Sequence, residues 1–361
     1  MSANDQNKRR TKSITMKDIA DALGLDRTTV SKALSGKRGL SEKTRRLVLE
    51  TAEKMGYRKD VFASGLMTRK NQIIGMVVTD LSRGLFSAVV REFQNEVKQH
   101  GYGVILCSLD NTEDGRATNI EQLHSLRFQR VSGITFVSNG TTQIPENYFK
   151  EFVDNDILFN TLELSMHIEG IDQLYFNHRK AGKELTEYLI SLGHRKIAFL
   201  TYSPRLQVYQ STRERIRGYF DAMREAGLAP ITFFEESRYS KTYGHEVQMA
   251  YDVLRSHWNR EDPPTAVIGA NDSFALGILH ALKDMGYRIP DDVSVAGFDD
   301  LYAEMGVPSL TSMKMPMGHA GQLAARLLMN RIKGAQAARP AEKLTIDYSI
   351  VVRNSTGPVR Q

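Results

Sequence analysis

From Gln72 onward, short apolar runs alternate with amphipathic stretches, and this rhythm constrains the fold more than any other feature of the chain. IIGMVV, YGVILC, GITFVS and ILFN are each short and free of charge. A strand covered by helices on both faces reads this way, because neither face meets water. Between the runs, a period near 3.6 predicts helices from about Phe86 to His100 and near Ile120–Gln129. After Phe176 the rhythm restarts. A helix over Arg179–Leu192 leads to the strand KIAFLT, a helix over Thr212–Ala226 to TFFE, and a helix over Tyr243–His257 to AVIGA. A helix over Ser273–Met285 then leads to SVAGF. Two such series predict an α/β protein with two doubly wound parallel-sheet lobes. Open sheets of this kind bind ligands at the carboxyl ends of their strands.

The first seventy residues follow a different pattern. TMKDIADALGLDRTTVSKAL, Thr15–Leu34, reads as two short helices joined by a tight turn. Thr15 and Asp18 have the spacing of a capping box. Ile19, Ala20 and Leu23 share one face, and Gly24 ends the helix in a left-handed conformation. Asp26 caps the second helix, which turns Val30, Ala33 and Leu34 inward. Its opposite face carries Arg27, Thr28, Ser31 and Lys32, side chains that reach phosphates and base edges when a helix lies in a major groove. Ser41 caps a third helix, with Leu47, Val48, Thr51, Ala52 and Met55 expected as its inward stripe before Gly56.

An ordinary helical hairpin with a solvated face would share that spacing, and charge separates the two readings. Residues 1–70 hold 17 Lys/Arg against 8 Asp/Glu, a net +9; the remainder holds 31 against 34, a net −3. A basic head on a mildly acidic body points to a polyanion as partner of the head alone. Residues 1–13 are polar and expected to be disordered, with Lys8, Arg9, Arg10 and Lys12 within reach of phosphates. They contain no apolar leader, and the longest apolar runs are too short to span a bilayer. The single cysteine, Cys107, ends a strand expected to be buried and fits a reducing cytoplasm. With 361 residues, 41% of them hydrophobic, two or three domains are expected. The chain contains no Walker loop, three-glycine dinucleotide fingerprint or Gly-x-Ser-x-Gly elbow. Its nine histidines lack a ligand spacing. We therefore expect no enzyme, no cofactor and no metal.

The segment KDIADALGLDRTTVSKALSGKRGLSEKTRRLVLETAEKMGYR resembles the DNA-binding head of the lactose-repressor (LacI/GalR) family of bacterial transcription regulators. GHRKIAFL, RERIRGYFDAMREAGL, ANDSFALGILHALKDMGYRIPDDVSVAGFDD and PSLTSMKMP resemble the family's periplasmic-binding-protein-like core. The resemblance runs from about residue 15 to 355. It implies a helix-turn-helix head over 1–57, a hinge helix over 58–71 and an effector-binding, dimerising core over 72–361. The expected lobes are 72–172 plus 301–317, and 173–300 plus 318–361. DNA contacts would come from Thr15, Arg27, Thr28, Thr29, Ser31, Lys32, Ser35 and Tyr57. Ala63 would make the close hinge contact, and Leu66 would wedge into the minor groove at the operator centre. The hinge departs from the family pattern in Lys59-Asp60, where Pro-Asn is usual. It departs also in Gly65, which lowers helix propensity by about 1 kcal/mol.

In the cleft, the resemblance implies contacts from Arg213 and Arg215, expected in a loop leading from KIAFLT into a helix. Asn271, Asp299 and Tyr239 would join them, as would Leu85 and Phe86 from the first lobe. A guanidinium fork suits vicinal hydroxyls, a carboxylate or a phosphate. Asn177-His178 departs from the family's frequent Asp-Asn-Arg. The function implied is that of a cytoplasmic, homodimeric repressor of double-stranded operator DNA, controlled by a sugar or sugar derivative. The chain shows no leucine-heptad tail, which favours a dimer over a tetramer. A soluble sugar-binding protein and an enzyme on the same fold are the alternatives. The basic head and missing leader weigh against the first, and the missing catalytic set against the second.

Overall fold

The computed structural model describes residues 14–34, 39–57, 71–79, 81, 84–109, 115–138, 144–154, 157–202, 209–234, 245–334 and 340–360. The expectations for residues 1–13, for Ser35, for the hinge with Lys59, Asp60, Ala63, Gly65 and Leu66, and for Tyr239 lie outside these residues. The chain divides into two units, Met1–Asn71 and Gln72–Gln361.

The first unit contains α1 (Met16–Leu23), α2 (Arg27–Leu34) and α3 (Glu42–Lys54). Each start is fixed by a side chain. The Thr15 hydroxyl accepts from the Asp18 N–H at 3.4 Å, while the Thr15 N–H donates to the Asp18 carboxylate at 2.7 Å, completing the capping box. The Thr29 N–H donates to Asp26 at 2.9 Å, and the Thr44 N–H to Ser41 at 3.1 Å. Gly24, at φ 63°, ends α1 in the left-handed region that a side chain would strain. Ile19, Ala20, Val30, Ala33, Val48 and Ala52 form the small core, with Leu23, Leu34, Met55 and Tyr57 around it. Leu47 corrects the expected stripe, being 48% exposed. At 100° per residue, Val48, Ala52 and Met55 share a face that Leu47 does not.

The second unit begins with β1 (Ile73–Val78), α4 (Leu85–Gln99), β2 (Gly103–Ser108), α5 (Gly115–Phe128), β3 (Gly133–Val137), α6 (Glu146–Asp154), β4 (Leu158–Leu162) and β5 (Asp172–Phe176). It continues with α7 (His178–Ser191), β6 (Ile197–Leu200), α8 (Gln210–Glu225), β7 (Ile231–Phe233), α9 (Glu246–His257), β8 (Ala266–Gly269), α10 (Asp272–Asp284) and β9 (Ser294–Asp299). The chain then runs through β10 (Thr311–Lys314), α11 (Met317–Ile332), β11 (Lys343–Ile346) and β12 (Ser349–Val351). Two six-stranded sheets result, in the orders β11-β5-β4-β3-β1-β2 and β12-β10-β9-β8-β6-β7. The β10–β12 pair is antiparallel and the other pairs are parallel. This is the two-lobed, doubly wound α/β architecture read from the sequence.

The lobe boundaries differ from those expected. β10 pairs with β9, so residues 311–314 belong to the second lobe rather than the first. α11 packs on α4, β3 and β4, and β11 pairs with β5, which places both in the first lobe rather than the second. The first lobe also extends past residue 172, through β5. Parallel partners are distant in sequence, so local pattern does not assign a strand to a sheet. Every residue of β1 is buried, as a central strand requires. β2 is an edge strand with no fully buried residue, so Cys107 is half-buried rather than part of a sealed strand. Gly182 on α7 and Gly218 on α8 let the two helices touch: a Cβ on either would run into the backbone of Arg215 or Arg179. That close approach sets the start of α7 against the middle of α8.

Candidate functional site

In the head, Arg27, Thr28, Ser31 and Lys32 are all exposed on α2. Thr29 is half-buried and turned to the cap, where its hydroxyl donates to Asp26 Oδ2 at 2.7 Å. The Thr28 hydroxyl also donates to Asp26. These bonds, that of Thr28 first, hold the Asp26 carboxyl well below the usual carboxylate range. Thr15 stands exposed at the start of α1, with its hydroxyl and N–H both engaged by Asp18. Tyr57 is half-buried against the small core, and its N–H donates to the Ala52 carbonyl at 2.8 Å.

In the second unit, a cavity lies at the carboxyl ends of strands from both sheets. β3, β4 and β5 bring Val137, Ser138, Leu162, Glu163 and Phe176 to it. The starts of α4 and α7 bring Leu85, Phe86 and His178, and α8 brings Ser211, Thr212 and Arg215. Asn271 and Asp299 follow β8 and end β9, and Met315 and Met317 complete the wall. Of the residues expected in the cleft, Leu85, Phe86, Arg215, Asn271 and Asp299 therefore share one cavity. Arg213 does not. It is exposed on α8, and both arginines lie within that helix rather than in a loop before it. Two residues of α-helix turn a side chain through about 200°, so Arg213 and Arg215 face opposite ways.

Arg215 is 4% exposed, and its two terminal nitrogens both donate while its buried Nε finds no acceptor among the described residues. Nη1 donates to the Ala270 carbonyl at 2.8 Å, and Nη2 to Asp299 Oδ1 at 2.6 Å and to the Tyr348 hydroxyl at 3.1 Å. Its guanidinium also sits 4.7 Å over the Phe298 ring centroid. Burial opposes the charge, but Asp299 and Tyr348 more than offset it, so Arg215 stays protonated. The chain of contacts continues through residues that the sequence did not single out as ligands. Tyr348 meets His178 Nδ1 at 2.8 Å, His178 Nε2 meets Glu163 Oε2 at 2.6 Å, and Glu163 Oε1 accepts from the Phe176 N–H at 2.6 Å. Burial pushes the Tyr348 hydroxyl well above its usual range, so it remains a phenol.

A buried network thus runs from Glu163 in the first lobe through His178, Tyr348 and Arg215 to Asp299 in the second. Glu163 at φ 60° and Asp299 at φ 99° both lie in the left-handed region, which a non-glycine residue occupies only when its surroundings compel it. Asn271 caps α10, accepting from the Phe274 N–H at 3.0 Å. The next residue, Asp272, accepts from the Leu301 N–H at 2.8 Å and the Ser312 hydroxyl at 2.6 Å. Burial first, and then the charge of Asp299, pushes its carboxyl up to about 7.

This arrangement suits holding a ligand rather than transforming one. Both ring nitrogens of His178 are engaged, so neither is available to take a proton from a substrate. Among the described lining residues, the guanidinium of Arg215 is matched by Asp299, and Glu163 adds a second carboxylate. Apolar walls with a few convergent polar groups are the general form of a small-molecule site. The positive φ of Glu163 and the buried position of His178 carry no sequence signature. The one clue was that Asn177-His178 departs from the Asp-Asn-Arg frequent in the family.

Residues 15–60 match the model of the lacI family of bacterial regulatory proteins, and residues 186–356 that of the periplasmic binding protein-like domain. The HTH-type transcriptional repressor PurR of Vibrio vulnificus (strain CMCP6) is 32% identical over 323 residues, covering 88% of this chain and 92% of the relative. Among solved structures, the lac repressor dimer bound to operator and the anti-inducer ONPF superposes with a TM-score of 0.79 at 24% identity, covering 96% of this chain and all of that one. A LacI family transcriptional regulator from Enterococcus faecium with bound ribose gives 0.64 at 24% identity, covering 80% of this chain and all of that one.

Proposed function

The chain belongs to the lacI family of bacterial regulatory proteins, and from that premise we propose that it is a repressor whose grip on operator DNA is set by a neutral, polyhydroxylated effector in the core cavity. The observation that carries the reading is the Glu163–His178–Tyr348–Arg215–Asp299 network, which joins the two lobes and puts Glu163, His178, Arg215 and Asp299 on the cavity wall. Among the described lining residues the charge of Arg215 is matched by Asp299, which leaves them no spare positive charge for an anion, while the carboxylates accept from hydroxyls. The ribose in the Enterococcus faecium regulator supports the same ligand class. A ligand bridging the lobes biases their separation, and linkage requires DNA to alter ligand affinity by the same factor.

The reading face is Arg27, Thr28, Ser31 and Lys32, with Thr15 and Tyr57 beside phosphates. Ala63 and Leu66 act at the hinge. A homodimer presents two such faces to a near-palindromic operator. The lac repressor dimer supports this, as do Met305 and Val307, which are 78% and 81% exposed on the loop after β9. Among the described residues, no helix is long and apolar enough to cross a membrane. Such a regulator works where the chromosome lies, in the cytoplasm.

The test is an operator-binding titration of the full chain on DNA upstream of its own gene, with and without simple neutral sugars. Arg215→Ala should bind operator and lose the response to sugar. Normal release of the variant by sugar would sink the cavity assignment, and salt-independent, sequence-blind binding by the parent would sink the repressor reading.

A further inference from the structure

The exposed face of α2 leaves open which bases it reads, and the way Asp26 holds its neighbours decides one position. Its carboxylate collects three donors: the Thr28 hydroxyl, the Thr29 N–H at 2.9 Å and the Thr29 hydroxyl at 2.7 Å. A threonine Cβ bears its hydroxyl and its methyl in fixed relation, so fixing one fixes the other. With the hydroxyl drawn back onto the helix cap, the methyl is what Thr28 has left for the solvent side, where the residue is exposed. The single hydroxyl proton is spent on Asp26, so Thr28 has none to donate to guanine O6 or N7, or to thymine O4. The adjacent carboxylate repels the acceptor-rich edge of guanine as well. Arg27 and Lys32 on the same face bring cationic donors, and Ser31 a hydroxyl. Thr28 is the position on this face that offers an apolar group, and the apolar feature of a major groove is the C5-methyl of thymine.

We propose that Thr28 reads a thymine in each operator half-site through methyl–methyl contact, with Asp26 as the positioning residue that turns the hydroxyl away. The proposal rests on the operator-binding reading of the head. Its test begins with selection of a preferred duplex by the full chain from randomised DNA. Each thymine of that duplex is then replaced singly by deoxyuridine, which deletes the C5-methyl and nothing else. Affinities are compared for the parent, for Thr28→Ser, which keeps the hydroxyl and lacks the methyl, and for Thr28→Val, which keeps a methyl and lacks the hydroxyl.

In the parent and in Thr28→Val, one thymine per half-site should lose about fourfold in affinity on conversion to uracil, the factor that one buried methyl-sized group contributes. In Thr28→Ser that position should become indifferent. A parent insensitive to uracil at every thymine overturns the proposal, as does a Thr28→Ser variant that keeps the same sensitive position. Failure of the parent to select any sequence overturns the operator reading itself, which separates the two failures.

Discussion

The reading face of the head and the cavity of the core use the same chemical groups, a cation, a carboxylate and hydroxyls, assembled by opposite means. The side-chain bonds that shape the head join residues two or three apart: Thr15 with Asp18, Asp26 with Thr28 and Thr29, and Ser41 with Thr44. The bonds that shape the cavity join residues far apart, with 84 positions between Arg215 and Asp299 and 170 between His178 and Tyr348. On the head the polar groups stay in water, and a change reaches no further than the cap the residue belongs to. In the cavity the charges are desolvated together, and removing one strands another. The head can therefore vary its output one residue at a time, while the cavity changes only as a set.

The strongest attempt to break this contrast is Arg215→Ala. It leaves the Asp299 carboxylate without its guanidinium in a buried site, and urea denaturation should show a loss of about 3–5 kcal/mol. A loss below about 1 kcal/mol, the range of exposed pairs, would put the cavity in the same class as the head. Next in size is a pH effect from Asp272, whose folded-state pKa is raised above its ordinary 3.8 to about 7. The native state then holds a proton that the unfolded chain has released. The stability this contributes is full below about pH 4 and is lost as pH rises through about 7. The stability of the parent relative to Asp272→Asn should fall over that window by a few kcal/mol, on the order of 3. A difference constant with pH would remove Asp272 from the account. Asp221 and Asp292, held near 2 by arginines, act with the opposite sign and below that window.

The head should respond in binding rather than in stability. Lys32→Ala should weaken operator binding by about 1–3 kcal/mol if the lost contact is to a base. Its unfolding free energy should stay within about 0.5 kcal/mol of the parent. Equal binding on every DNA would end the assignment of that face. The smallest effect expected is that of Thr15→Ala, which removes the hydroxyl half of a capping box and should cost about 1 kcal/mol in thermal unfolding of the head.

The same contrast explains what could be read from the residues. Thr15, Asp18, Gly24, Asp26 and Ser41 act within a turn or two of chain, and their caps were legible as spacing. Most of the strands and helices of the core were legible as well, because their periods are local. Arg213 was expected in the cleft by family resemblance and as part of a loop, and the helix that holds both arginines turns it away from Arg215. Glu163, His178 and Tyr348 meet only after β4, α7 and the stretch between β11 and β12 have been brought together, and no local pattern encodes that meeting. The lobe boundaries failed for the same reason. β10, α11 and β11 choose their sheets by partners more than a dozen residues away.

The interleaving of the two lobes also sets an order in time. The head's core is closed by residues up to Tyr57, so a growing chain completes its DNA-reading unit early. The first lobe waits for β11 at Lys343–Ile346 and the second for β12 at Ser349–Val351. A ribosome must therefore finish nearly the whole message before either half of the sensor has its last strand, and the cavity network waits for Tyr348 in the same stretch. A message cut short would release a head without the part of the protein that holds the ligand cavity.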